Sequence, residues 1–481
     1  MADSDMIPRL MAPTPDLIAR LTGIVGAEHA LTDPDQQLPY LREMRDLYVG
    51  RTPLVLRPGT VEQVSRILSL ANEAGIGVVP QAGNTGLVGA QIPYESGNEI
   101  VLSVARLDKV RNIDAAGLSM TVEAGLTLAE CQAAAEKADR FFPLSLPSEG
   151  SCRIGGNIGT NAGGVAVLAY GNTRQLVLGL EVVLADGRIW NGLKALKKDN
   201  TGYDLKDLFI GSEGTLGIVT AAVLKLFPRP AEKATAFVAL PSLDATLELF
   251  TRAQAAAGAG LTAYEFVSRR GLEVVDRHIS GARMPFPITS PWYVLLEVSG
   301  AKEDGAAERT LETVLGSAAE QGIVADAIIA RSLGQAAELW RLREELPEAQ
   351  KPEGSSLKHD LSVAVARIPE FVTRADVIVE RICPGARPVP FGHFGDGNVH
   401  YNVIEPPGFG RERFLKVGES ITAAIHDLVV AMDGSISAEH GIGRMKRAEL
   451  QRFKSPVELE LMRSIKSVFD PNGILNPGKI L

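Results

Sequence analysis

Between Thr52 and Val110 the apolar positions change period twice. LVLRP is a short apolar run stopped by Pro58-Gly59, and VEQVSRILSLANEAG then sets Val61, Val64, Ile67, Leu68 and Ala71 on one helical face up to Gly75. The runs IGVVPQAG and EIVLSV are β-branched and bounded by Gly, Pro and Asn, which predicts two strands. The segment therefore reads strand, helix, strand, strand, after a short N-terminal helical region. More short strands are predicted through LVLGLEVVLADGRIW, where Asp186-Gly187 between apolar runs marks a hairpin. After the apolar run TLGIVTAAVLKLF, the cluster Phe227-Pro228-Arg229-Pro230 places a domain boundary. From Ala231 to about Gly385, strands such as AFVAL and WYVLLEV alternate with Ala- and Glu-rich helical stretches, the pattern of an α/β domain with a helix-covered sheet. FDPNGILNPGKIL is too dense in Pro, Asn and Gly for a regular helix.

A chain of 481 residues is long enough for several domains. With hydrophobic residues at 45% and charged residues at 22%, it has the composition of a folded globular protein. Lys and Arg total 49 against 58 Asp and Glu, so the broad basic field that nucleic acid requires is missing. The longest uncharged stretch, between Arg153 and Arg174, is filled with Gly, Asn and Thr and reads as no membrane span. MADSDMIPRLMAPTPDLIARL has neither the apolar core of a signal peptide nor a transit-peptide composition, so a cytoplasmic location is expected. Cys131, Cys152 and Cys383 are far apart and read as small core residues rather than ligands or a disulfide set.

Glycine is the outlier, with 48 residues against roughly 7% in an average chain. Three segments concentrate it: Ala82 to Ala90, Ser148 to Val165, and Gly211 to Val219. Such loops let backbone amides close on an anion, and three of them with almost no Lys or Arg point to one large phosphate-bearing ligand held by backbone. Neither the Walker pattern nor the Rossmann fingerprint fits; GGNIGT is expected to follow no strand and open no helix.

The motifs PLVLRPGTVEQVSRILSLANEAGIGVVPQAGNTGLVGA, GGNIGTNAGG, NTGYDLKDLFIGSEGTLGIVT and GILNPGK resemble those of the FAD-linked oxidoreductases of the vanillyl-alcohol oxidase type. The resemblance implies an α+β fold. A two-part FAD-binding domain would span residues 1–230, a substrate and metal-binding cap domain 231–440, and a segment returning to the flavin 441–481. It further implies that Gly83, Asn84, Thr85 and Gly86 surround the pyrophosphate. Pro147, Gly150, Gly155, Gly156, Ile158, Gly163, Glu213 and Ile218 would line the rest of the FAD, and Asn476 would reach the flavin ring. No His stands in the Gly83 to Gly86 loop, so the FAD is expected to be noncovalent.

Three of the seven His are His393, His400 and His440. If Asp396-Gly397 form a two-residue turn, His393 faces His400 directly, with Cβ atoms roughly 4.5–5.5 Å apart, a workable bite for a metal ion. Asn402 then shares their face, and Phe394, Val399 and Tyr401 take the other. Glu439 in SAEHGIG is the natural carboxylate to complete a divalent site, and Gly441 and Gly443 imply a tight loop close to a ligand. GHFGDGNVHYN and SAEHGIG resemble the D-2-hydroxyglutarate dehydrogenase branch of the family, shared in part with D-lactate dehydrogenases and glycolate oxidase subunits. In that branch the matching His393, His400 and Glu439 bind zinc or a similar divalent ion, with manganese or cobalt as alternatives, and the matching His440 is the base.

A five-carbon diacid needs a second cation. Arg343 in LWRLREEL and Lys358 in SSLKHDLSV, the latter expected in a strand with Asp360, are the candidates, and the branch resemblance of LKHDLSVAVARIPEF assigns both to the substrate carboxylates, beside Asn402. Pro347 stands where that branch can offer a Thr, and has no donor. The expectation is oxidation of D-2-hydroxyglutarate to 2-oxoglutarate. D-lactate or another D-2-hydroxy acid, or a flavin-binding subunit without activity, are the alternatives. The family implies an electron-transfer flavoprotein or quinone as acceptor, and a homodimer.

Overall fold

The computed structural model describes residues 10–481, so the first nine residues of the N-terminal reading lie outside the described residues. The chain divides into two units. Unit 1 runs up to Gly163, resumes at Gly171–Pro228 and closes with Glu439–Leu481, while unit 2 comprises Gly164–Tyr170 and Arg229–Ala438.

In unit 1, β1 (Ala30–Leu31), β2 (Val55–Leu56), β3 (Gly77–Gln81) and β4 (Glu99–Ser103) form a sheet in the order β1-β2-β4-β3. β2 and β3 both run parallel to β4. The helix Val61–Ala74 bridges β2 and β3; it starts on the Thr60 side chain, stops at a left-handed Gly75 as its sequence predicts, and buries Val64, Ile67, Leu68 and Ala71. A second sheet is antiparallel: β5 (Val110–Asp114), β6 (Ser119–Glu123), β7 (Val177–Val183), β8 (Ile189–Gly192) and β9 (Ile218–Lys225), in the order β5-β6-β9-β7-β8. The hairpin at Asp186-Gly187 is present, with Val183 opposite Ile189.

One expectation fails here. IGGNIGT does open a helix, Ile154–Thr160. Each glycine costs about 1 kcal/mol in a helix interior and carries no apolar signal. Burial of Ile154, Asn157 and Ile158 on one side supplies what propensity withholds. The C-terminal stretch has no helix after Phe469, as expected; it runs beside β3, where the Val78 amide donates to the Ile474 carbonyl at 2.8 Å and the Asn476 amide to the Val78 carbonyl at 2.9 Å. Cys131, Cys152 and Cys383 are all free and buried.

Unit 2 is built on one sheet: β10 (Glu232–Leu240), β11 (Leu261–Ser268), β12 (Trp292–Gly300), β13 (Asp326–Ile329), β14 (Ser356–Leu357), β15 (Asp360–Ser362), β16 (Arg387–His393) and β17 (Asn398–Ile404). Its order is β13-β10-β12-β11-β16-β17-β14, with β15 also on β17. The helix-covered sheet is as predicted, but every pairing is antiparallel, so unit 2 is α+β rather than α/β. Alternation of strand and helix along a sequence does not fix strand direction. Period-two alternation splits the core in two. Phe237, Val267, Tyr293, Leu295 and Phe391 pack with the helices Arg269–His278 and Leu333–Glu344, while on the opposite face Tyr264 and Phe266 gather around Phe394. The detached piece Gly164–Tyr170 belongs to this unit, and a Cβ added to Gly395 would come within 2.7 Å of the Leu168 side chain. Among the described residues no helix is long and apolar enough to cross a membrane.

Candidate active site

The hairpin of β16 and β17 carries the two histidines, but not in the predicted register. Residues Phe394–Asp396 form a 3-10 turn closed by Gly397 at φ 90°. His400 therefore faces Phe391, and Val389 faces Asn402. His393 lies opposite Glu265 on its other neighbour, β11. The slip is two residues, so both imidazoles keep the same face. Their ring centroids are 5.6 Å apart and a ring nitrogen of each lies within 4.8 Å of the other, as a shared cation requires. Phe394, Val399 and Tyr401 are fully buried on the other side, where the Tyr401 hydroxyl donates to Asp376 at 2.6 Å.

Glu265 is wholly buried and its two carboxylate oxygens face different partners. Oε1 lies 2.7 Å from Nδ1 of His393, and Oε2 accepts from Nε of Arg343 at 2.9 Å. Burial pushes this carboxyl up, but the neighbouring His393 and Arg343 outweigh it and hold Glu265 below the usual range. Arg343, at the end of the helix Leu333–Glu344, is buried and its guanidinium lies 5.0 Å over the Phe391 ring. Asn402 is also buried and donates to Gln350 at 3.0 Å. Lys358 is exposed and sits in the break between β14 and β15, not within a strand as predicted. Pro347 is exposed, in the first turn of the short helix Leu346–Ala349.

At the end of unit 2 the Ala438 amide donates to the Asp360 carbonyl at 3.3 Å, and Asp360 is the register partner of His400. Glu439 follows by one peptide bond and opens the last stretch of unit 1. Its carboxylate lies 4.0 Å from Nε2 of His440, and both side chains are partly exposed. Behind them the loop is tied to Glu213, whose carboxylate accepts from the Ile442 amide at 2.7 Å and the Gly443 amide at 2.8 Å. The close approach signalled by the glycines of SAEHGIG is thus partly an approach to Glu213. Burial pushes that carboxyl up to about 7 against the two amides, which favour its ionised form. The Asn476 side chain donates to the Glu213 carbonyl at 2.7 Å, so Glu213 joins this loop to the C-terminal segment.

The glycine-rich loops of unit 1 have the close approaches that a backbone-held ligand needs. A Cβ on Gly83 would lie 2.3 Å from the Ser151 carbonyl oxygen, which packs the Gly83 loop directly onto the Ser148 loop. Asn84 donates to the carbonyls of Pro39 and Arg42 at 2.8 and 2.9 Å. The Oδ1 atoms of Asn84 and Asn476 are buried without a hydrogen-bond partner among the described residues. Two orphaned acceptors in segments of this kind fit a ligand that brings its own donors, as the hydroxyl- and imide-bearing FAD does. Pro147, Gly150, Gly155, Gly156, Ile158, Gly163 and Ile218 all lie in unit 1 with them; Gly155, Gly156 and Ile158 are on the helix Ile154–Thr160, and Ile218 begins β9.

Two family models match this chain: an FAD binding domain over residues 52–192 and the C-terminal domain of FAD linked oxidases over residues 229–480. The chain belongs to the FAD-linked oxidase family. It is similar to D-2-hydroxyglutarate dehydrogenase of Xanthomonas citri pv. viticola, at 39% identity over 96% of each chain. It is 40% identical to the mitochondrial D-2-hydroxyglutarate dehydrogenase of Rattus norvegicus over 94% of this chain and 82% of the relative. Among solved structures it is similar to p-cresol methylhydroxylase, with a TM-score of 0.76 at 17% identity over 98% of both chains. 4-Ethylphenol oxidase from Gulosibacter chungangensis gives 0.74 at 18% identity over 99% of this chain and 98% of that one. These two likenesses are of fold, and they agree with the vanillyl-alcohol oxidase type read from the motifs. This FAD-linked oxidoreductase thus carries its cofactor signature in unit 1.

Glu265 was not visible to sequence reasoning as a site residue. The available signal was a lone carboxylate inside the apolar strand LTAYEFVS, where an unpaired charge is costly.

Proposed function

We propose that this protein is a FAD- and divalent-metal-dependent dehydrogenase that oxidises D-2-hydroxyglutarate to 2-oxoglutarate. The observation that carries the reading is the shared carboxylate of Glu265, which puts a metal-ligand imidazole and a buried guanidinium on either side of one group. A diacid has a use for both. His393 and His400 would hold the cation with Glu439, which the chain delivers one residue beyond the Ala438 to Asp360 hydrogen bond. FAD, when bound, would accept the hydride from Cα, and the cation would supply Lewis acidity at the α-hydroxyl. His440 would take the hydroxyl proton as general base, a role an imidazole can fill. Arg343 grips the distal carboxylate, with Lys358 as the second cation, and buried Asn402 supplies a hydrogen bond beside His400. The relatives at 39% and 40% identity, named as D-2-hydroxyglutarate dehydrogenases, support the same substrate. Electrons then leave to an electron-transfer flavoprotein or a quinone.

A second reading, a D-lactate or related dehydrogenase, is favoured by one observation: Pro347, four residues past Arg343, offers no donor. The anaerobic visible spectrum separates the two. Bleaching of the flavin by D-2-hydroxyglutarate, but not by its L-enantiomer or by D-lactate, supports the first; bleaching by D-lactate alone gives the site to the second.

A further inference from the structure

β11 is the apolar run LTAYEFVS, and its one carboxylate is fully buried on the sheet face that also carries His393, Phe391 and His400. A carboxylate taken out of water is tolerated only when its oxygens are engaged, and here each has a different partner. An ionised carboxylate only accepts. His393 must therefore keep its proton on Nδ1 when neutral, which makes Nε2 the nitrogen with a lone pair to give. On the other side, Glu265 accepts from Nε of Arg343 alone, and the two terminal amino groups make no protein hydrogen bond among the described residues. Phe391 supports the same guanidinium from its ring face at 5.0 Å.

We propose that Glu265 is a positioning residue with two duties: it fixes the His393 tautomer that presents Nε2 to a divalent cation, and it aims Arg343 at the distal carboxylate of the substrate. The inference rests on the metal-dependent reading above. It makes the two ends of the site one unit, so that disturbing Glu265 disturbs cation and diacid together. A glutamine cannot serve both partners, because its single oxygen accepts from one donor while its amino group faces the other. Were Glu265 there only to balance the charge of Arg343, its loss would lower stability and leave the cation site alone.

The test uses the full-length FAD-loaded protein, with zinc titrated against a chromogenic chelator and flavin reduction followed with D-2-hydroxyglutarate and D-lactate. For Glu265→Gln, zinc affinity is expected to fall about 10–100-fold, the usual effect of removing a group that orients a metal ligand. KM should rise more for D-2-hydroxyglutarate than for D-lactate, which has no distal carboxylate, and flavin content should not change. Glu265→Asp keeps the charge but not the reach, so it should recover part of the zinc affinity; it also carries the test if the glutamine variant does not fold. Wild-type zinc affinity and an unchanged KM ratio in both variants, whatever happens to Tm, would overturn the inference alone. A wild-type protein that takes up no zinc, manganese or cobalt would overturn the metal-dependent reading, and this inference with it.

Discussion

The glycine-rich segments around Gly83 and Gly155 in unit 1 and the hairpin around His393 in unit 2 are both candidate sites, yet they are made from different parts of the chain. The first is backbone: amides and carbonyls brought close because side chains are absent, as where Gly83 leaves 2.3 Å between a would-be Cβ and the Ser151 carbonyl oxygen. The second is side chain: imidazole, carboxylate and guanidinium from strands and a helix, joined through Glu265. A backbone site depends on where bulk is missing, and a side-chain site on which register the strands adopt. Damage to the two should therefore leave opposite signatures.

His440→Ala should give the largest effect. Anaerobic flavin reduction by D-2-hydroxyglutarate is expected to slow by about 10²–10⁴-fold, the range for losing a general base, with FAD still bound. Unchanged reduction would remove His440 from the chemistry. Next, His400→Ala should weaken zinc binding by more than about 100-fold, beyond the effect of an orienting group, while the flavin spectrum stays as in the wild type. A metal-stripped wild type that kept its rate would make the hairpin histidines structural. Gly83→Ala should do the reverse: its methyl meets backbone that cannot swing aside, at a cost of about 1–3 kcal/mol, so FAD content falls and zinc affinity holds. Equal loss of both ligands would erase the contrast.

The smallest effect concerns Glu213, with burial holding its carboxyl at about 7 against an ordinary 4.5. Between those values the native state keeps a proton that the unfolded chain has released, so stability falls as pH rises through about 7 and is greatest below 4.5. Glu213→Gln cannot titrate and should flatten this dependence by about 2–4 °C in Tm across pH 5 to 8. A wild-type profile with no slope there would show that the amides of Ile442 and Gly443 keep Glu213 ionised throughout.

The contrast also explains what could be read from the sequence. Glycine clusters mark close backbone approaches locally, so the packing of the Gly83 loop and the helix ending at Gly75 were legible. The helix Ile154–Thr160 was not, because its stability comes from burial rather than propensity. In the hairpin the face of His393 and His400 was legible but the register was not: a side-chain period of two cannot distinguish His393 from Phe391 as the partner of His400. Glu265 lies on a different strand, β11, and becomes a partner of His393 only through the sheet. Lys358 was misplaced because a break between two short strands leaves no periodic mark.

The discontinuity of unit 1 has a consequence for biosynthesis. Its last part, Glu439–Leu481, supplies the strand-like partner of Val78 and the Asn476 that holds Glu213, yet it is translated after all of unit 2. At about 5–20 residues per second, the FAD-binding half waits roughly ten seconds to a minute after its first long segment leaves the ribosome. The β3 edge is therefore completed only after unit 2 has been made, and a ribosome stalled within unit 2 would hold that edge, which Ile474 and Asn476 later cover, still open.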